Sequence, residues 1–115
     1  MKTIHVAEIT GELCMTCEEG HALLEVLRPA VAEGGAELDF SGTRLHMPPF
    51  FNAGITALLE DYTLQQLRER LTIRNLPGHS VETLKRCLEN GEHYYHIPGY
   101  REVQDRVLNA QAAFA

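Results

Sequence analysis

The residues best suited to chemistry are two thiols near the start of the chain, Cys14 and Cys17, which form a C-x-x-C pair. They fall between a predicted strand and a predicted helix, where thioredoxin-like proteins hold a redox dithiol, because a helix N-terminus favours the thiolate. Three glutamates, Glu12, Glu18 and Glu19, flank the pair, and nearby negative charge disfavours the thiolate. We therefore keep a thiol-redox domain as an alternative and not as the main prediction.

The same cysteines also begin a metal-ligand spacing, Cys14-x2-Cys17-x3-His21. Zinc accepts thiolate and imidazole ligands in tetrahedral sets, and surrounding glutamates would favour a cation. A strong zinc signature needs two close pairs, and only one is present. Further ligands occur later in the chain, at Cys87, His93 and His96. We predict no metal and no cofactor, and keep a metal-responsive site at Cys14, Cys17 and His21 as part of the alternative.

Other catalytic signatures are absent from the sequence. It contains no G-x-G-x-x-G, no P-loop, no nucleophile elbow and no H-E-x-x-H. Asp39 with His46 or His79 would make a dyad, but no nucleophile stands at a signature turn. The sequence therefore predicts a protein that is not an enzyme.

Size and composition favour one small domain that spans residues 1–115. Of the 115 residues, 44% are hydrophobic, enough for a core, and no apolar run approaches the roughly 20 residues of a membrane span. The first residues turn polar too soon for a signal peptide. With three cysteines and no secretion signal, we expect a reducing, cytoplasmic location.

The net charge of −6 lies entirely in the first third of the chain. Residues 1–39 hold eight acids and two bases, whereas residues 40–115 hold eight of each. This balance argues against nonspecific binding to nucleic acid or to an anionic membrane. An acidic face could suit a basic partner, although most charge runs are solvated surface.

The apolar pattern predicts alternating strands and helices. Strands are expected at residues 3–10, 37–40 and 71–76. Helices are expected at residues 18–33, after Pro48-Pro49 as far as Tyr62, from a Ser80 cap to Asn90-Gly91, and at about 100–114. This order implies an α/β domain with helices over a small sheet.

Three residues inside these helices carry specific expectations. Pro29 should kink the first helix or end it early. Gly54 weakens its helix by about 1 kcal/mol against alanine, so we expect it to permit close approach of another element. Cys87 should face inward, three residues after Leu84.

The stretch Ala36-Glu37-Leu38-Asp39-Phe40-Ser41-Gly42 resembles the central strand and turn of STAS-like domains, small α/β modules related to anti-sigma factor antagonists. The similarity continues through residues 47–53 into the following helix, resumes at 71–76, and covers about 15–97. Within these relatives it is most similar to a stand-alone group of unknown function. The resemblance implies a small STAS-like α/β domain with a mixed central sheet and helices packed on it; Cys14 and Cys17 are not part of it.

What the resemblance implies about function is partner switching and not catalysis. In STAS relatives a Ser or Thr at the turn before the second helix is phosphorylated by a histidine-kinase-like ATPase, which adds negative charge at a helix N-terminus. The corresponding turn here, residues 47–54, has no Ser or Thr, and the nearest hydroxyls are Thr43 and Thr56. We therefore expect a regulatory or adaptor domain that acts by protein–protein interaction without phosphorylation at the usual place.

The same turn is the predicted partner-binding surface, because apolar residues there stand beside a pair of prolines. The candidate residues are His46, Met47, Pro48, Pro49, Phe50 and Asn52. The expected partner is a protein, a histidine-kinase-like ATPase by the resemblance, and the contacts should be mainly apolar. A homodimer is possible, since a small sheet leaves edges to be covered.

Overall fold

Three parallel strands form the centre of the fold, in a computed structural model that describes residues 1–96. The strands of the described chain are β1 (Lys2–His5), β2 (Leu13–Cys14), β3 (Ala36–Asp39), β4 (Leu45–His46) and β5 (Leu71–Arg74). The central sheet has the order β1-β3-β5, and Leu38 pairs with Ile4 on one side and with Ile73 on the other. Strands β2 and β4 form a separate parallel ribbon.

Helices connect these strands and cover the sheet. The α-helices of the described chain are α1 (Val6–Thr10), α2 (Cys17–Ala32), α3 (Pro48–Gly54), α4 (Leu64–Arg70) and α5 (Gly78–His96). A short 3₁₀ helix, Thr56–Glu60, follows α3. The core combines Leu38 of β3 with Leu23 and Leu27 of α2 and with Phe50 and Phe51 of α3, all fully buried. No helix within residues 1–96 is long and apolar enough to cross a membrane.

The predicted α/β class, with helices packed on a small central sheet, is confirmed. The sheet is parallel and not mixed in the part of the chain that the structure describes. The reason is that each link between neighbouring strands contains helices: α2 lies between β1 and β3, and α3 and α4 lie between β3 and β5. Such crossovers return the chain in the same direction, which makes the strands parallel. The predicted helix at about 100–114 lies outside the described residues.

The first strand is shorter than predicted, because the chain turns helical at Val6. Strand β1 ends at His5, and α1 takes up Val6 to Thr10. Val6 and Ile9 then lie on one helical face, buried and half-buried, while the Thr10 hydroxyl donates a hydrogen bond to the Val6 carbonyl at 3.2 Å. The apolar alternation that predicted a strand to residue 10 was therefore misleading beyond Val6.

Helix α2 begins with a capping box and continues past its proline. The Thr16 hydroxyl accepts from the Glu19 amide at 3.1 Å, and the Glu19 carboxylate accepts from the Thr16 amide at 3.1 Å. Pro29 does not end the helix, which continues to Ala32. It lies in the last turn, where the missing N–H removes a single bond and the Pro29 carbonyl still accepts from Glu33 at 3.0 Å.

Two glycines bring α2 and α3 together. A Cβ on Gly54 would lie 3.1 Å from the Gly20 carbonyl oxygen, and a Cβ on Gly20 would lie 2.6 Å from that of Phe50. Any side chain at Gly20 would push the helices apart. The prediction that Gly54 permits close approach is confirmed, and Gly20 is its partner.

The second half of the chain departs from the prediction in its helix boundaries. The helix after Pro48-Pro49 ends at Gly54, and the 3₁₀ helix follows in place of further α-helix. Helix α4 was not predicted, although Thr63 and Gln66 form a capping box at its start. Helix α5 runs on through Gly91 to His96.

The residues that were expected to bound α5 have other roles. Ser80 does not cap this helix: it lies inside α5, buried, and its hydroxyl contacts His46. Gly91 does not end it. This glycine lies within α5, where a Cβ would clash with Thr56 and Leu59. Cys87 faces inward as predicted.

Candidate functional site

A cavity of about 710 Å³ lies between the start of α3 and one side of α5. It is lined by His46, Met47, Pro48, Asn52, Thr56, Thr83, Arg86, Cys87, Asn90, Gly91, Tyr94 and Tyr95. Four of the six predicted partner-binding residues are among them: His46, Met47, Pro48 and Asn52. The other two separate, because Pro49 is exposed outside the cavity and Phe50 is buried in the core.

Helix α5 supplies one wall through a repeated spacing of three or four residues. Starting from Thr83, the lining residues follow as adjacent pairs on successive turns: Arg86 and Cys87, Asn90 and Gly91, Tyr94 and Tyr95. This spacing places them on one face of the helix. This wall was not predicted as part of a site, and the predicted helix ended at Asn90-Gly91, before Tyr94 and Tyr95.

Two polar groups in the cavity have unused hydrogen-bonding capacity. Thr56 is 5% exposed, and its Oγ1 has no hydrogen-bond partner in the part of the chain that the structure describes. Arg86 is exposed, is the only Lys, Arg, Asp or Glu in the lining, and forms no ion pair within the described residues. The cavity therefore has a local positive charge although the chain as a whole is acidic.

His46 is held by hydroxyl groups at both ring nitrogens. Thr43 Oγ1 donates to the Phe40 carbonyl at 2.6 Å, which uses its single proton, so the His46 Nε2–H donates to Thr43 at 2.8 Å. A neutral ring then accepts at Nδ1 from the Ser80 hydroxyl, 2.8 Å away. The ring stacks on Phe51 with an interplanar angle of 10°.

Burial favours the neutral form of His46. Desolvation lowers the pKa of His46 below its ordinary value, and the nearby His79 lowers it further. Ser80, although it contacts an imidazole as a catalytic serine would, is only 1% exposed and does not line the cavity. The arrangement of Ser80, His46 and Thr43 is therefore a structural link between α5, β4 and the preceding turn.

The β2/β4 ribbon presents an exposed apolar face beside the cavity. Leu13 pairs with Leu45, and Cys14 with His46, so side chains alternate between buried Cys14 and His46 and exposed neighbours. The apolar face, as we define it, consists of Leu13, Met15, Leu45 and Met47, each 39–40% exposed. The only other exposed large apolar residue in the described chain is Met1.

A second polar cluster lies at the carboxyl ends of the three central strands. Asp39 Oδ1 accepts from the Asn75 amide at 2.9 Å and from the Ser41 hydroxyl at 2.7 Å, while Oδ2 lies 3.5 Å from His5 Nδ1. The hydrogen bonds from Asn75 and then Ser41 hold the pKa of Asp39 well below its usual range. The histidine that approaches Asp39 is thus His5, whereas His46 is engaged with Ser80.

The C-x-x-C pair divides into a buried and an exposed thiol. Cys14 is buried, and Thr10 Oγ1 lies 3.3 Å from its sulfur. Burial raises the pKa of the Cys14 thiol, and the Glu19 carboxylate raises it further. Cys17 is exposed at the first position of α2, and His21 is exposed on the same helix. Within residues 1–96 no three His, Cys, Asp or Glu side chains come together as a metal site.

The hydroxyls nearest to the expected phosphorylation turn are not freely accessible. Thr56 is buried, as described above, and a kinase would have to unfold the 3₁₀ helix to reach it. Thr43 is half-buried and is hydrogen-bonded to the Phe40 carbonyl and to His46.

The comparisons with known proteins add no relative. The chain has no significant match to a protein-family model, to a curated protein or to a solved structure.

Proposed function

We propose that this chain is a non-catalytic regulatory or adaptor domain that acts in the cytoplasm by binding another protein. The docking surface is the apolar face together with the adjoining residues Pro48 and Asn52 of α3. The observation that carries the proposal is the apolar face itself: four of the five exposed large apolar side chains of the described residues lie together there. Contiguous exposed apolar side chains with a polar rim are typical of protein-interaction sites.

The surroundings of the apolar face support its use in recognition. Glu12 and Arg44, which precede its two strands, form an ion pair at 3.1 Å beside it. Both side chains are more than half exposed, so this pair contributes little to folding and belongs to the polar rim. Docking should depend mainly on apolar burial and should therefore change little with salt.

The STAS-like resemblance supports the partner class. It implies a histidine-kinase-like ATPase that binds near the turn before the second helix, which corresponds here to residues 47–54. The burial of Thr56 and the engagement of Thr43 favour an interaction that is not switched by phosphorylation at that turn. The inaccessible Ser80 favours a binding role over a hydrolytic one.

Affinity capture with a surface variant tests this proposal. The wild type and the double variant Leu45→Gln, Met47→Gln are immobilised and exposed to lysate of the native organism with and without ATP. Both residues are about 40% exposed, so the variant should fold. We expect the wild type to retain a stoichiometric ATPase, identified by mass spectrometry, in about 0.05 to 0.5 M salt, and the double variant to lose it.

A matched control carries changes of similar size elsewhere on the surface. Gln65→Ala and Glu69→Gln on α4 are exposed and distant in sequence from the ribbon, and should leave capture unchanged. Equal capture by wild type and double variant would contradict the proposal, and so would the absence of any stoichiometric partner. A wild-type dimer in size-exclusion chromatography that the double variant abolishes would assign the face to self-association instead.

A further inference from the structure

We infer that the cavity between α3 and α5 binds a small organic anion, a carboxylate or phosphate group on an apolar body. The cavity shares Met47, Pro48 and Asn52 with the proposed docking surface, but the inference does not depend on a protein partner. The inference rests on three features of the lining: a charge, an unpartnered hydroxyl and an apolar wall.

The charge comes from Arg86. A guanidinium presents a planar set of donors that matches carboxylate and phosphate oxygens in pairs. Among residues 1–96 the lining contains no carboxylate that could neutralise Arg86, and the one other titratable base there, His46, uses both nitrogens on Thr43 and Ser80. An anion would therefore meet Arg86 without competition from the other lining residues.

The unpartnered hydroxyl belongs to Thr56. A buried hydroxyl without a hydrogen bond destabilises a protein by about 1–3 kcal/mol, so its persistence in the lining needs an explanation. Thr56 Oγ1 has no partner in the described chain although Asn52 and Asn90 line the same cavity. The oxygen itself is buried, so the Thr56 side chain would have to turn toward the cavity before a polar group on the ligand, such as a phenol or a second oxygen, could supply the missing bond.

The apolar wall and the volume define the body of the ligand. The lining includes Met47, Pro48 and the half-buried side chains of Tyr94 and Tyr95. The volume of about 710 Å³ falls within the range of small-molecule sites, roughly 300–1,000 Å³. A single aromatic ring that bears an anionic group at one end and a hydroxyl at the other combines these three features.

Titration of the isotope-labelled full chain by NMR tests the inference with five probes: benzoate, phenyl phosphate, benzamide, para-hydroxybenzoate and para-hydroxybenzamide. We expect saturable shifts of the Thr56 and Arg86 amides with a carboxylate or a phosphate probe. The neutral amides should bind about ten-fold more weakly or worse, because they lose a charge-assisted hydrogen bond. The comparison of benzoate with phenyl phosphate identifies the anion.

Two variants test the roles of Arg86 and Thr56 in binding, and a matched control for Arg86 lies on the same helix. Arg86→Gln should weaken binding of the anions about ten-fold, whereas Lys85→Gln, an exposed cation outside the lining, should not. Thr56→Val keeps the shape of the side chain and removes a hydroxyl without a partner, so it should fold. It should remove the advantage of para-hydroxybenzoate over benzoate.

Three results would overturn the inference. One is the absence of saturable shifts at the cavity with every anion up to ~10 mM, the range of weak ligand binding. The second is equal binding of benzoate and benzamide. The third is unchanged anion affinity in Arg86→Gln.

Discussion

Gly91 of α5 lies directly against Thr56 of the 3₁₀ helix. A Cβ on Gly91 would lie 2.1 Å from Thr56 Cγ2 and 3.1 Å from Leu59 Cδ1. The absence of a side chain at Gly91 therefore sets how closely α5 approaches the 3₁₀ helix, and with it the shape of the cavity that both residues line.

Replacing this glycine should destabilise the fold. Gly91→Ala gains about 1 kcal/mol of helix propensity, but overpacking against Thr56 costs about 1–3 kcal/mol or more at such a distance. We expect a net decrease of about 1–2 kcal/mol in the free energy of unfolding, measured by urea denaturation.

Two control variants separate the effect of the clash with Thr56 from the effect of helix propensity in Gly91→Ala. Gly78→Ala, at a position where a Cβ meets nothing within 4 Å, should not destabilise the protein. Thr56→Ser removes the methyl group that the new Cβ would meet, and should reduce the cost of Gly91→Ala. An undiminished cost in the Thr56→Ser background would show that the clash with this methyl is not the cause.

The neutral, buried His46 should make the protein less stable in mild acid. Since folding lowers the pKa of His46, the unfolded chain binds the proton more readily than the folded one. The contribution of the neutral His46 to the free energy of unfolding is therefore fully present above the ordinary pKa of about 6.5 and decreases as the pH falls through and below that value. We expect thermal denaturation to show a lower Tm at about pH 5 than at about pH 8.

Substitution of the histidine tests the assignment. His46→Gln should lower stability at neutral pH, because two hydrogen bonds and the stacking on Phe51 are disturbed, and should flatten the pH dependence. His21→Gln, at an exposed position on α2, should leave the pH dependence in place. An unchanged pH dependence in His46→Gln would assign it to another group.

The three thiols should differ sharply in reactivity. Cys17 is exposed, whereas Cys14 and Cys87 are buried and burial raises the pKa of both. Because the thiolate is the reactive form, an aromatic disulfide reagent should modify one thiol per native chain rapidly and all three after unfolding. Cys17→Ser should abolish the rapid phase. Rapid modification of two native thiols would contradict the buried position of Cys14.

Asn75 should be replaceable by glycine more easily than by alanine. It has a φ of 60°, in the left-handed region, and its side chain donates to Asp39 Oδ1 at 2.9 Å. Both substitutions remove this hydrogen bond, but alanine adds about 1 kcal/mol of backbone strain that glycine avoids. Urea denaturation should give Asn75→Ala a free energy of unfolding about 1 kcal/mol lower than that of Asn75→Gly. Equal free energies of unfolding would contradict the strain argument.

Local signals predicted the three central strands, α2, α3 and α5, but not α1, α4, the 3₁₀ helix or the β2/β4 ribbon. Strand β3 and its turn follow from an alternating apolar pattern ended by Ser41-Gly42, and α2 follows from its apolar spacing and its stop at Gly34-Gly35. The signal for α4 was also local, a capping box at Thr63 and Gln66, but only two apolar residues, Leu64 and Leu67, support it in so short a helix. Boundaries were less predictable where tertiary contacts decide them, as at Gly91.

Only the side of the candidate site that contains Met47 and Pro48 was predictable from the sequence. The turn that contains Met47 and Pro48 is apolar in sequence and was assigned as a surface. Ser80 reaches His46, and Arg86 joins Asn52 in one lining, although 34 residues separate the members of each pair. Such juxtapositions depend on how α5 packs against β4 and α3, and no spacing within any one of these elements indicates that packing.

The order of the central strands has a consequence for how the domain is made. The order β1-β3-β5 follows their order in the chain, so each new strand is added to an edge that already exists. During synthesis the unit of β1, α2 and β3 is complete once Asp39 has emerged, and β5 then extends the sheet without displacing a neighbour. The spatial order of the strands therefore never requires β5 to be inserted between two strands that have already paired.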